Sequence, residues 1–269
     1  MSDEQIKSMM DSYFIKSRIV DFAGPIVFMA AVIFISSILL SSPSEINKFI
    51  FIFVYLIANA ILFYSVNKIK LKLIAPINAV LEDDCDFESY KKLIKYGYQE
   101  YYDVNIIRKI MIHAYIRICD LDKDSEKIKE LMNDNVFIRF NKRNKIYLNY
   151  LDLIIAWHEK NELKFSVSYQ CLIDKIRKKR GSKFEKLKKE LDFLYFAYDG
   201  DYKQALDILN DTKLETNISQ VLIAFNKGLS LNKLERNDEA IEQLNYVIEN
   251  GNTLPQVERA KKLLLEISE

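Results

Sequence analysis

The sequence predicts an all-α protein: an N-terminal transmembrane helical hairpin, then an α-solenoid of helical hairpins ending in a C-terminal capping helix. Three observations carry that prediction. Nothing ionises from Phe22 to Ser44, and again nothing from Phe49 to Asn67. At the α-helical rise the second run alone is ~28 Å long, close to the ~30 Å hydrocarbon core of a bilayer. From about Ala75 onward strand-type alternation is nearly absent. The same stretch is interrupted only by Pro76, Gly97, Gly181, Gly200, Gly228, Gly251 and Pro255, so long helices joined by short turns follow. The expected organisation is an amphipathic cytoplasmic segment at 1–21, the transmembrane hairpin at 22–67, a juxtamembrane linker at 68–85, and a cytoplasmic helical domain at 86–269.

The stretch Ser41–Lys48 between the two runs is too short to be a domain, which places both termini on one side. Basic residues then set the orientation. Lys7, Lys16 and Arg18 precede the first run and Lys68, Lys70 and Lys72 follow the second, whereas the connection holds only Lys48. By the positive-inside rule both termini are cytoplasmic, as in a two-span cell-membrane protein. A cleaved signal peptide is the rival reading of the first run. Against it, the run is longer than a typical signal core, lacks an A-x-A-like cleavage site, and is followed at once by a second apolar run. Ahead of it, Ile6, Met9, Met10, Tyr13 and Phe14 recur at helical spacing. That pattern fits an interfacial helix on the inner leaflet or a helical extension of the first span. Asn59, inside the second run, needs only a serine or backbone partner and implies no transport path.

Cys85, Cys119 and Cys171 are odd in number and widely spaced, which suits reduced thiols packed as small apolar side chains in a cytosol.

Within the soluble part, Phe87–Tyr98 opens the array, with Asp86 as its N-cap. Ile106–Cys119 is followed by a turn at Asp120–Lys123 and a short helix through Leu131. Ile146–Trp157 is followed by Glu159–Asn161 and a helix to about Ile176. Leu191, Leu194, Tyr195 and Tyr198 form one apolar face, and Tyr202, Ala205 and Leu209 the next, with Asp199-Gly200-Asp201 as the turn between. Val257, Ala260, Leu263, Leu264 and Ile267 form the capping helix.

An internal repeat lies in the C-terminal part. Leu194–Asn210 laid on Leu229–Asn245, a shift of 35 positions, pairs Leu194 with Leu229, Ala205 with Ala240, Leu206 with Ile241 and Leu209 with Leu244. Two helices per unit at that period resemble the tetratricopeptide repeat, over residues 184–250. Gly228 stands at the small position of the first helix and Ala240, in the setting Glu239-Ala240-Ile241, at that of the second. The resemblance implies that Ala205, Gly228, Ala240 and Leu244 pack helix against helix, and that the array offers a surface to a protein partner. The chain departs from the family at Val247 and Thr212, where alanine is preferred, at Phe193, where a small residue is preferred, and in its late Pro255.

Chemistry is scarce. The two histidines, His113 and His158, fall in different helices, and His158-Glu159-Lys160-Asn161-Glu162 lacks the second histidine of a zinc-protease helix. There is no phosphate-binding loop, nucleophile elbow or Cys-x-x-Cys pair, so no catalytic residue, cofactor or metal is expected. The acidic run Glu82–Asp86 lacks the alternation and glycine of a calcium loop. Total charge is balanced at 39 basic against 38 acidic residues, but its placement is not uniform. Arg139, Lys142, Arg143 and Lys145 gather in one connection between hairpins, and Lys175, Arg177, Lys178, Lys179, Arg180 and Lys183 in the next. The turns inside hairpins are acidic, at Asp120, Asp122 and Asp124, Glu159 and Glu162, Asp199 and Asp201, and Glu235 and Asp238. A solenoid would then have one acidic and one basic edge, the latter a solvated surface or a contact for anionic lipid or a partner. Nucleic acid is not expected, because aromatic interleaving is lacking. The function expected is a membrane-anchored adaptor that recruits a protein partner. The alternative is a non-catalytic subunit or regulator of a membrane transport or toxin-immunity assembly.

Overall fold

The computed structural model describes residues 1–40, 45–101, 105–212 and 215–268. Among them every regular element is an α-helix. The chain forms two compact units, Met1–Ala79 and Val80–Glu269.

The first unit is built from α1 (Asp3–Leu40) and most of α2 (Glu45–Glu82). The turn expected at Ser41–Ser44 lies outside the described residues. The amphipathic segment is the first part of α1 itself, a helical extension with no break before the apolar run. Ile6, Met10, Tyr13 and Ser17, spaced by four, three and four, are all buried, as one stripe of a helix requires. Two contacts show that the helices run antiparallel: a methyl at Gly24 would lie 3.3 Å from Val66, and the rings of Phe28 and Tyr55 are 5.9 Å apart. Asn59 turns its amide to the Tyr55 carbonyl at 2.7 Å and is satisfied within its own helix. The region expected as a linker, 68–85, is helical as far as Glu82, so the division between units falls after Ala79 rather than at Asp86. Residues 68–82 contain no glycine and one proline, and nothing there stops the helix.

The second unit contains α3 (Phe87–Glu100), α4 (Asn105–Asp122), α5 (Ser125–Met132), α6 (Asn135–Asn141), α7 (Lys145–His158), α8 (Glu162–Ile176), α9 (Ser182–Asp199), α10 (Tyr202–Asn210), α11 (Asn217–Lys233), α12 (Asn237–Asn250) and α13 (Pro255–Ser268). Helix α6 has no counterpart in the sequence reading. It is two turns long, capped by the Asp134 side chain on the Val136 amide at 2.8 Å, and too short for a periodic pattern.

One turn recurs along this unit. Cys85, Lys123, Lys160, Gly200 and Glu235 have positive φ, from 52° to 84°, at positions 35 to 40 residues apart. Each ends one helix and is followed directly by the residue that begins the next. In four of the five that residue is Asp86, Asp124, Asn161 or Asp201, whose side chain accepts the amide three residues on. Arg236 takes the place in the fifth without a side-chain cap. At three of the turns the left-handed residue and its successor close the preceding helix with a Schellman pair. Asp124, Asn161 and Arg236 donate to the carbonyls of Cys119, Ala156 and Leu231 at 2.8, 2.9 and 3.0 Å. These five connections share one backbone turn.

Successive helices pack on one another through two clusters. The larger joins α4 to α9 through Ile112, Ile128, Phe137, Leu151, Phe165 and Leu191. The smaller sets Ala240 among Leu206, Leu231 and Ile267, drawn from α10, α11 and α13. Helix α13 packs on α11 and α12, with Val257, Ala260 and Leu263 buried. The unit also closes on its own start. Asn252 donates to the Asp84 carbonyl at 3.0 Å, Thr253 to Asp86 at 3.2 Å, and Asn217 to the Asp83 carbonyl at 2.6 Å. Arg259 reaches the Leu121 carbonyl at 3.0 Å. A linear array touches only its neighbours; here the last helices bond to the first.

Candidate interaction surface

The basic connections expected from the sequence come together at one edge. Lys175 lies in the last turn of α8, Arg177, Lys178, Lys179 and Arg180 in the connection, and Lys183 in the first turn of α9; all are exposed. Gly181, at φ 116°, supplies the left-handed step that lets the chain turn there. Because α7 packs antiparallel to α8, its N-terminus, with Lys142, Arg143 and Lys145 just before or at it, lies beside the end of α8. The amide of Asn149, turned to satisfy both its groups, takes Lys175 Nζ at 2.9 Å and donates to the Lys145 carbonyl at 2.9 Å. Neither cluster forms an ion pair among the described residues; the nearest lysines that do, Lys186 and Lys189, lie farther along α9.

The opposite edge differs from the acidic edge expected. Five of the nine carboxylates there are committed, while Glu162, Asp199, Glu235 and Asp238 stand exposed. Asp124 and Asp201 cap helices, Asp122 binds Lys91 at 2.6 Å, Glu159 binds Lys129 at 2.5 Å, and Asp120 takes His158 Nε2 at 2.8 Å. Lys123 and Lys160 occupy the turn apices between them. The acidic edge is partly neutralised within the fold, and the basic edge forms no ion pair among the described residues.

The four repeat positions lie in packing and not at an open site. Ala205, Ala240 and Leu244 are wholly or nearly wholly buried. A methyl on Gly228 would come within 2.8 Å of Leu244 Cδ2, so a larger residue requires the Leu244 side chain to shift. A shallow groove of about 520 Å³ runs over the outer side of this pair, lined by Gln220, Ile223, Lys227, Gln243 and Tyr246.

A polar seam missed by the sequence reading joins α4, α6, α7 and α9. Tyr150 donates to Glu190 at 2.5 Å, and His113 lies 3.0 Å from the Tyr147 hydroxyl and 3.4 Å from Asn141 Nδ2. Burial, then the Lys109 charge, lowers His113 to about 4. These partners are 28 to 40 residues apart, and no local pattern announces them. Among the described residues no three histidine, cysteine or acidic side chains converge as a metal would require. Cys85 and Cys119 are buried and Cys171 is exposed, all as free thiols.

The His113 shift has a defined sign. An unfolded histidine takes a proton near pH 6.5, whereas the folded one resists until about 4, so the unfolded state binds more protons in that window. Its contribution is complete above about pH 6.5 and is lost as pH falls toward 4. Melting curves across this range should show that decline, and His113→Gln should make it shallower.

No protein family, curated protein or solved structure matches this chain.

Proposed function

We propose that the first unit anchors the chain in a bilayer and that the second is a tetratricopeptide-like docking domain that holds a protein partner beside the membrane. The observation that carries the reading is apolar exposure on the first unit. Phe22, Ile26, Met29, Ile33 and Phe34 on α1, and Ile52, Phe53, Leu56 and Ile61 on α2, are each 53–67% exposed, on helices too apolar to meet water over that area. Asp3–Phe34 is long and apolar enough to cross a membrane, and α2 adds the shorter apolar segment Tyr55–Val66. In this reading α2 returns through the bilayer beside α1, with both termini cytoplasmic. Unit 2, by contrast, encloses a core of its own and places one left-handed turn between helices at five described positions, an arrangement suited to presenting surface. Anchoring raises the local concentration of that surface for partners at the membrane.

Impermeant thiol labelling of intact cells tests the anchor. In a Cys171→Ser background, Ser44→Cys should be modified and Ser268→Cys should not; the reverse result would invert the topology, and loss of the N-terminal segment from the membrane-bound chain would identify a signal sequence. Replacing α1 and the apolar part of α2 with an unrelated two-helix anchor separates the adaptor from the alternative. A partner held by unit 2 stays with the swapped chain on capture from solubilised membranes. One held by the spans, as in a transport or immunity assembly, is lost.

A further inference from the structure

The basic edge carries more than charge. Helix α6, which leads directly into Lys142 and Arg143, turns Ile138 and Phe140 outward at 48% and 39% exposure. Lys109, near the start of α4, places its ammonium 4.9 Å above the Phe140 ring. An aromatic and an aliphatic side chain thus stand in water among cations that form no ion pair among the described residues. Phosphate groups would accept those cations, and the two apolar side chains would enter the boundary just beneath a headgroup layer. A single-stranded nucleic acid would instead need successive aromatic platforms for its bases. Here one phenylalanine stands beside an isoleucine.

We propose that α6, the α6–α7 connection and the α8–α9 connection form a second membrane-contact site that takes anionic phospholipid, with Ile138 and Phe140 inserted at the interface. The site rests on the anchoring reading, which brings unit 2 to a bilayer. It binds by charge and shallow insertion, so added salt weakens it.

The full-length chain, with Cys171→Ser and an environment-sensitive dye at Ile138→Cys, would be placed in nanodiscs of phosphatidylcholine alone or with phosphatidylglycerol. With phosphatidylglycerol the dye emission should shift to the blue and resist an aqueous quencher. Both effects should be lost at high salt and in Lys178→Glu/Lys179→Glu/Arg180→Glu, whose far-ultraviolet circular dichroism should stay unchanged because these residues are exposed in a connection. A dye at Leu163→Cys, at the other end of α8, should ignore lipid composition. Equal emission in both lipids would overturn the proposal. So would a shift produced in phosphatidylcholine discs by a short RNA, which would reassign the edge to nucleic acid. Failure of the chain to enter either disc would sink the anchor reading alone, and the edge is then read with the same labelled chain and added phosphatidylglycerol vesicles.

Discussion

Ala240→Glu will unfold the C-terminal helices. Ala240 has no exposed surface and lies among Leu206, Leu231 and Ile267, so its methyl is the point where α10, α11 and α13 meet α12. Nearby, Gly228 already leaves no room against Leu244. A glutamate there must either bury a carboxylate without a partner or push three helices apart. The first is among the few substitutions that cost more than about 4 kcal/mol, and the second forfeits the packing of the smaller cluster. Because Asn252, Thr253 and Arg259 bond to the start of the unit, loosening α12 and α13 also releases Asp84–Glu88. Hydrogen exchange should therefore rise in both regions together, and the melting temperature should fall steeply. An unchanged melting temperature would show that this helix crossing is not close-packed.

Asp134→Ala should be nearly as damaging. Asp134 and Arg108 meet at 2.6 Å with side chains only 8% and 12% exposed. The same carboxylate caps α6 and receives the Tyr98 hydroxyl at 3.4 Å. Burial alone would raise its pKa, but the Arg108 bond and the Val136 amide prevail and hold it below the usual carboxylate range. Its contribution is thus complete above about pH 4 and is lost as pH falls through the lower folded value. Removing one member of a buried pair leaves the other charge uncompensated, at a cost of about 3–5 kcal/mol. Denaturant titration should register that loss for Asp134→Ala. Arg108→Met/Asp134→Asn, which keeps a capping side chain and leaves no buried charge, should recover most of it. Equal stability of Asp134→Ala and the parent would mean that the pair is solvated in solution.

The helical class of the chain was legible before any coordinates, and so were most of its helix ends. Asp86 announces a helix start in sequence because a short side chain must satisfy an orphan amide, and that requirement is local; Asp124, Asn161 and Asp201 read only as turn residues, and their caps came from the structure. The apolar runs of α1 and α2 are equally local. Close packing was legible where small residues stand, at Ala205, Gly228 and Ala240. The recurring left-handed step at Lys123 and Lys160 was not legible, because nothing in a lysine side chain calls for positive φ.

Composition and spacing by themselves determined an all-helical chain with an apolar start and basic connections between hairpins. They could do so because helix period, capping and hydropathy are properties of neighbours along the chain. Tertiary structure alone decided that Asp122, Glu159 and Asp120 are taken by Lys91, Lys129 and His158 while the basic edge forms no ion pair among the described residues. It alone tied Asn252 and Arg259 to residues 168 and 138 positions away and seated Glu190 against Tyr150. Each of these depends on which side chains meet across packed helices, and helical periodicity says which face is buried without saying against what.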